Sequence, residues 1–414
     1  MVNRNLSNTE YLLLQLLSSS VHGTEVVESK LIYDEWIELL SLTQAHNVLP
    51  LVFEKAIEIE NFVDTPIVSR YMTDVMSVVA GQARRTEAFL TLYKAFLKVD
   101  IHPIVMKGLI CRQLYGEYCD HRPSGDEDIL ILKSEYEQVQ QILQENGYRS
   151  EYHDITDAQL DDLQEVTFYS GQTGLSIEVH LNPIGHEDGW RRQLNDCFRD
   201  VFQNCREEVI DGVPVMTMSH TDHMLFLILH AFKHLTVGGF GIRQVIDILL
   251  YAEKYGAECD WKYLYRVLKE IKANSFFIDL IYIGNQYLGF NIDITEKPNC
   301  PEELLKEILD CGIFGNATQV QRTAVHMTSA AMRGKDHQNQ SRIKTLLYAI
   351  FPDRANMLSL HPELQEKPWL LPICWIKRWG RFLAHNKANG GNLAAESMKI
   401  SKRRIELLKK YDIL

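Results

Sequence analysis

Apolar residues recur at helical spacing through residues 6–98. Tyr11-Leu-Leu-Leu-Gln-Leu-Leu follows Asn8 and predicts a first helix, and Trp36, Leu39, Leu40 and Thr43 continue the pattern over 34–42. A longer helix is predicted over 67–99, with Val75, Val78, Val79, Ala83 and Phe89 near one stripe. The period changes at residue 99. Ile101-His-Pro-Ile-Val-Met is short and β-branched, and it predicts a strand running into Lys107-Gly108 and then a helix over 109–118. Arg122-Pro-Ser-Gly-Asp-Glu-Asp-Ile-Leu reads as a turn feeding a strand, and 136–146 as a helix stopped by Gly147. Val166-Thr-Phe-Tyr-Ser and Leu175-Ser-Ile-Glu-Val-His-Leu flank Gly171-Gln-Thr-Gly, which predicts a β-hairpin. Helical patterns return over 222–235, 242–255, 261–272, 275–288, 301–311 and 317–332, with loops at 334–340 and 386–392 before a basic terminal helix. The expected architecture is α+β: an N-terminal helical region (1–98), a core with a small mixed sheet (99–219), and a C-terminal helical region (220–414).

Composition narrows the class. At about 100–200 residues per domain, 414 residues imply two or three domains. A chain that is 46% hydrophobic and 24% charged is neither disordered nor collagen-like. The formal net charge of −12 argues against a protein that coats nucleic acid with its whole surface. Residues 367–414 nevertheless hold 11 Lys/Arg against 3 Asp/Glu, a net +8, and this basic tail reads as a solvated helix or a local anion contact. The eight cysteines form no CxxC pair, so neither a thiolate zinc site nor a thioredoxin-like motif is expected. No apolar run approaches the ~18–20 residues of a membrane span, and the N-terminus lacks the layout of a signal peptide. A soluble cytoplasmic protein is expected.

The candidate chemistry lies in Gly125-Asp-Glu-Asp-Ile-Leu-Ile. Alternation along a strand puts Asp126 and Asp128 side by side and turns Glu127 away. Neighbouring carboxylates repel, and a hard divalent cation, Mg²⁺ or Mn²⁺, is the usual remedy. Glu178 and His180 repeat the i, i+2 spacing in Ile177-Glu-Val-His, so Glu178 becomes a third acid if the strands adjoin. Three such acids hold two ions, or one ion and a general base. Lys107 offers a point charge to phosphate, Gly108 allows close backbone approach before a helix N-terminus, and Arg122 and Ser124 lie within reach of a phosphate oxygen. His223, His230 and His234 share one helix face. That face reads as a buried polar seam bonded to Asp247 or Arg243, as a nucleotide contact through His230 and His234, or as a metal pair at their i, i+4 spacing, with His180 a further candidate nucleotide contact. Trp369, Trp375 and Trp379 with Lys377, Arg378 and Arg381 read as a helical core with snorkelling cations, or as a base-stacking surface.

These residues resemble the DNA polymerase β-like nucleotidyltransferase superfamily: strand-Lys-Gly-helix, then Arg-x-x-x-Asp-x-Asp, then a later acidic strand. More closely, the chain resembles a bacterial family of uncharacterised nucleotidyltransferases. That likeness rests on Ala45-His-Asn-Val-Leu-Pro-Leu, Val105-Met-Lys-Gly, the Asp126/Asp128 segment, Ile177-Glu-Val-His, Leu229-His-Ala-Phe-Lys-His and the 243–247 segment, and covers roughly 35–255. The resemblance implies metal-dependent transfer of a nucleoside monophosphate from an NTP to an acceptor hydroxyl. Asp126 and Asp128 match the metal carboxylates, Glu178 the third acid and base, and Gly108 the phosphate-loop glycine. The chain departs from the superfamily pattern in having Lys-Gly rather than Gly-Gly or Gly-Ser, 18 residues before Asp126, and Glu in place of the commoner third Asp. Two alternatives remain open: a catalytically inactive nucleotide-binding protein on the same scaffold, and a toxin-type enzyme that modifies protein or tRNA.

Overall fold

The computed structural model describes residues 6–26, 28–152, 155, 160, 163, 165–184, 194–294, 296–312, 324, 328, 351, 354, 357, 361–364, 367–388 and 393–413. The chain divides into two compact units, Met1–Phe232 with Ile242–Pro298, and Lys233–Gly241 with Asn299–Leu414. The expected 317–332 helix, apart from 324 and 328, lies outside the described residues, as do the 334–340 loop and positions 389–392. Among the described residues, no helix is long and apolar enough to cross a membrane.

The first unit opens with helices Asn8–His22, Tyr33–Ala45, Leu49–Ala56 and Ile67–Leu97. Ser7 caps the first of these through Glu10 N–H while Glu10 reaches back to Ser7 N–H, a reciprocal pair that satisfies two otherwise unpaired donors. Then follow six strands, β1 (Ile104–Val105), β2 (Asp126–Leu130), β3 (Glu165–Ser170), β4 (Leu175–His180), β5 (Arg206–Ile210) and β6 (Val213–Thr217). They form one mixed sheet in the order β3-β4-β2-β1-β6-β5. β2 runs parallel to β4 and β1 parallel to β6, while the β1/β2, β3/β4 and β5/β6 pairs are antiparallel.

One sheet face is packed. Ile129, Val166, Phe168, Ile177, Val179 and Val215 meet Phe89, Tyr93 and Phe96 of the long helix and Val139 and Leu143 of helix Tyr136–Glu145 in one buried cluster. Fully burying each such side chain stabilises by roughly 1.5–3 kcal/mol, so this face anchors the strands in register. A slip of one residue would turn that apolar set outward. The opposite face is thereby left to the polar residues of β2 and β4.

Two local expectations are corrected. The predicted 101–106 strand pairs only at Ile104–Val105. The predicted 109–118 helix is a single α turn, Leu109–Arg112, followed by tight 3-10 turns over Gln113–His121 that break at Gly116 (φ 57°, ψ −123°). The 166–170/175–180 hairpin forms as expected, with Gly174 at φ 65° closing its turn.

In the second unit the basic terminal helix, Leu393–Lys410, is paired rather than free. Arg403 donates to Glu307 at 3.2 Å and Asp310 at 2.6 Å, Arg404 binds Glu307, and Lys410 reaches Glu303 at 2.5 Å. Its partner is the acidic helix Pro301–Cys311.

Candidate active site

The parallel pairing of β2 and β4 makes the site. Asp128 lies directly opposite Glu178, with Asp126 opposite Ser176 and Leu130 opposite His180. Alternation points Asp128, Glu178 and His180 to one face, and one donor atom from each of the three lies within 4.8 Å of the other two. Among the described residues, Asp126 is not part of that group. Its charge is felt nonetheless, since it helps to hold up the proton affinities of Lys107 and Glu178.

Asp128 is the pivot. It is 2% exposed. Lys107 Nζ stands 3.3 Å from its Oδ1 and 3.1 Å from its Oδ2, and His180 Nε2 stands 3.4 Å from Oδ1. The same imidazole nitrogen is 3.7 Å from Glu178 and 3.8 Å from Glu165 on β3, so three carboxylates ring one histidine. The His180 contacts are ion-pair separations, whereas Lys107 Nζ donates a long hydrogen bond to Asp128 Oδ1. Asp128 Oδ2 and both ring nitrogens of His180 are buried with no hydrogen-bond partner. Such atoms are uncommon inside a folded protein, and each asks for a ligand, an ion or a water.

The charges follow from this crowding. Burial works against ionisation of Asp128, yet Lys107 and then His180 hold its carboxyl far below the usual carboxylate range. Burial also opposes the Lys107 ammonium, but Asp128, Asp126 and Glu178 keep it well above the ordinary lysine value. Burial alone would lower His180, whereas Asp128 and Glu178 lift it to about 9. Glu178 is pushed up by burial, and by Asp128, Glu165 and Asp126 against His180. Without an added cation, the chain's own ammonium and imidazolium neutralise Asp128.

Lys107 also approaches His230 Nε2 at 3.5 Å. His230 therefore borders the cluster, while His234 belongs to the second unit. His223 does not join Asp247 or Arg243. It sits against Thr217 Oγ1 at 3.4 Å and the Tyr251 ring at 4.8 Å, and burial, with Arg206 and His220 nearby, pushes it down to about 3.

Three expected phosphate contacts are otherwise engaged. Arg122 is 1% exposed and grips Asp247 with two bonds, Nε to Oδ1 at 2.8 Å and Nη2 to Oδ2 at 2.6 Å, while Tyr115 donates to the same Oδ1 at 2.8 Å. Buried in that fork, it ties the turn before β2 to helix Ile242–Tyr255. Ser124 Oγ accepts from Arg112 at 2.5 Å, its N–H donates to Gln82 at 2.9 Å and its carbonyl accepts from Arg85 at 3.1 Å. Gly108 (φ 41°, ψ −102°) has Glu127 beneath it, so a Cβ there would sit 2.0 Å from Glu127 Oε2. The Leu109 N–H that a phosphate would want donates instead to that oxygen at 2.7 Å. The glycine thus serves an internal carboxylate.

Sequence reasoning set Glu127 aside because it points away from Asp126 and Asp128. It does point away, onto Arg112 (2.5 Å) and the Gly108 turn, at 0% exposure. Glu165 was also missed, although the hairpin register that pairs it with His180 could have revealed it. Of the tryptophans, Trp375 and Trp379 pack against Phe351 at 5.1 and 5.0 Å, while Trp369 is exposed.

Residues 34–289 match the family described as uncharacterised nucleotidyltransferase, and the chain belongs to that family. No curated protein and no solved structure matches the chain. Membership supports a general nucleotidyl-transfer role and a nucleotide substrate. The Asp128 cluster lies inside the matched span.

Proposed function

We propose that the protein transfers a nucleoside monophosphate from an NTP to an acceptor hydroxyl, breaking the α–β phosphoanhydride bond and releasing pyrophosphate, with a divalent cation, Mg²⁺ or Mn²⁺, and that its mixed sheet is a polymerase β-like core. The observation that carries this reading is the cross-strand pairing of Asp128 with Glu178, with His180 beside them and a buried Asp128 oxygen that makes no hydrogen bond and lies 3.1 Å from the Lys107 ammonium. Two carboxylates and an imidazole form a donor set that suits a divalent ion, and the unpaired atoms fit one. Asp128, Glu178 and His180 would hold it, and Asp126 adds negative charge at the mouth. Such an ion neutralises phosphate charge and makes the acceptor hydroxyl more acidic.

The remaining work falls to the chain. Nucleotidyl transfer depends on positioning and charge neutralisation more than on covalent help. Lys107 exchanges its carboxylate partner for a phosphate oxygen as a point charge, with His230 alongside. Glu178, directly across from Asp128 on the facing strand, takes the acceptor proton.

The test is transfer of label from α-labelled NTP into a cell extract, with and without Mg²⁺ or Mn²⁺. Asp128→Asn should abolish transfer, and Glu178→Gln should lower turnover more than NTP binding. The labelled product tells a small molecule from a protein or an RNA acceptor. Unchanged turnover in Asp128→Asn would refute the assignment.

One observation favours a second reading, a nucleotide-binding protein without turnover. Lys107 and His180 already neutralise Asp128, and the Leu109 N–H is sealed by Glu127. On that reading NTP binds equally well with and without divalent ions, and no label moves.

A further inference from the structure

The second unit carries a donor cluster that nucleotidyl transfer does not use. His361 precedes the short turn Pro362–Leu364, and Cys374 sits in the first turn of helix Leu371–Ala388. His361 is 8% exposed and Cys374 1%, whereas the Glu363 side chain is 46% exposed. His361 Nδ1 lies 3.1 Å from Glu363 Oε1, and one donor atom from each of His361, Glu363 and Cys374 lies within 4.8 Å of the other two.

A thiol, an imidazole and a carboxylate are three donors that zinc accepts, whereas Mg²⁺ avoids sulfur. With bonds of about 2.0–2.3 Å, a tetrahedral zinc shell sets its donors roughly 3.3–3.8 Å apart. The His361–Glu363 separation of 3.1 Å is close to that already, and the exposed Glu363 arm has the freedom to adjust around an ion. The packing around it gives a reason for a clip. Met357, Leu364 and Cys374 form a small buried cluster with Leu370, Leu371 and Trp375 beside it. Among the described residues, this small cluster is what joins the 361–364 turn to the helix, and a metal ligand from each side would reinforce the junction. Binding at such a site adds directly to folding stability.

We propose that His361, Glu363 and Cys374 bind Zn²⁺, with one position left to water, and that the ion clips the 361–364 turn to the start of helix Leu371–Ala388. The site is independent of the Asp128 cluster in its donors and in its unit.

The experiment uses the full-length protein, stripped with a chelator and reloaded with Zn²⁺ or with Co²⁺, whose thiolate bond absorbs strongly in the near ultraviolet. A cobalt–thiolate band, which the thiol-free Asp128 cluster does not give, is expected in the wild type, together with a melting temperature that falls on chelation. Cys374→Ser should lose the band and the chelator sensitivity, and Glu363→Gln, at an exposed position, should weaken zinc binding at least about tenfold while the protein stays folded. Asp128→Asn should keep the band and its chelator sensitivity, which separates this site from the nucleotidyl-transfer reading. Absence of the band in the wild type, or zinc held equally well by Glu363→Gln and the wild type, overturns the proposal and leaves His361–Glu363 a plain hydrogen bond.

Discussion

Glu127 and Asp128 are neighbours on β2, both buried, and each faces a cation. Glu127 has both oxygens capped, Oε1 by Arg112 at 2.5 Å and Oε2 by the Leu109 N–H at 2.7 Å. Asp128 has one oxygen in a long bond to Lys107 and the other without a hydrogen-bond partner. One side of the strand carries a finished structural ion pair and the other an unfinished one. The difference lies in the partners as much as in the geometry. Arg112 is a guanidinium that cannot shed its proton, and a planar fork that fixes its acceptor. Lys107 and His180 are titratable, and Lys107 is a flexible arm. A carboxylate held by groups that can leave or neutralise is available to a ligand.

The largest expected effect tests this contrast directly. Glu127→Gln leaves Arg112 buried and uncompensated, and should destabilise by about 3–5 kcal/mol in urea unfolding. Asp128→Asn should cost less than half as much, because His180 can release its proton and Lys107 keeps Asp126 and Glu178 nearby. Equal losses in the two variants would erase the distinction between a framework carboxylate and a ligand carboxylate.

Next comes Gly108→Ala. The new methyl would meet Glu127 Oε2, and the positive φ disfavours any side chain. A loss of about 2–3 kcal/mol is expected. If the clash matters, the double variant with Glu127→Ala costs less than the sum of the two single changes. Strict additivity would mean that the glycine answers to backbone conformation alone.

The same contrast explains what could be read in the sequence. The alternation of Asp126, Glu127 and Asp128 gave their faces, and Ile177-Glu-Val-His gave the facing strand, because period-2 patterning is local. The α+β class with a mixed sheet and the 166–180 hairpin were legible for the same reason. The β5–β6 hairpin was missed although Asp211-Gly212, at φ 48° and 75°, is a strong turn signal. Arg122 could not be assigned, since its partner Asp247 lies 125 positions away and a basic residue before an acidic strand looks alike whether it binds phosphate or a buried aspartate. The helix expected at 109–118 is one α turn to Arg112 and then 3-10 turns that break at Gly116, and apolar periodicity does not register a glycine held at positive φ.

A smaller effect concerns the ion. An imidazole in the donor set favours transition ions over Mg²⁺, which prefers oxygen. The unfinished side of β2 should therefore bind Mn²⁺ about tenfold more tightly than Mg²⁺ in calorimetry, a gap of about 1.4 kcal/mol. His180→Asp should narrow that gap. Equal preference in the two proteins would remove His180 from the ligand set and return it to an ion-pair role.

The smallest effect extends the comparison to two buried histidines. His180 is raised by carboxylates, whereas His223, buried among Thr217, Tyr251 and Phe226 with Arg206 and His220 near, is lowered to about 3. The unfolded chain takes up a proton on His223 near pH 6.5 and the folded chain does not. Its neutral ring thus contributes stability that is complete above about 6.5 and lost progressively as pH falls towards 3. Between pH 7 and pH 6 the decline from this one group is roughly 0.7 kcal/mol. Unfolding free energies at the two pH values, measured for the wild type and for His223→Gln, isolate it. The variant should lose that increment of pH dependence, because an amide does not titrate. If wild type and variant change alike, His223 is solvated or charged when folded, and the closed surroundings inferred for it are wrong.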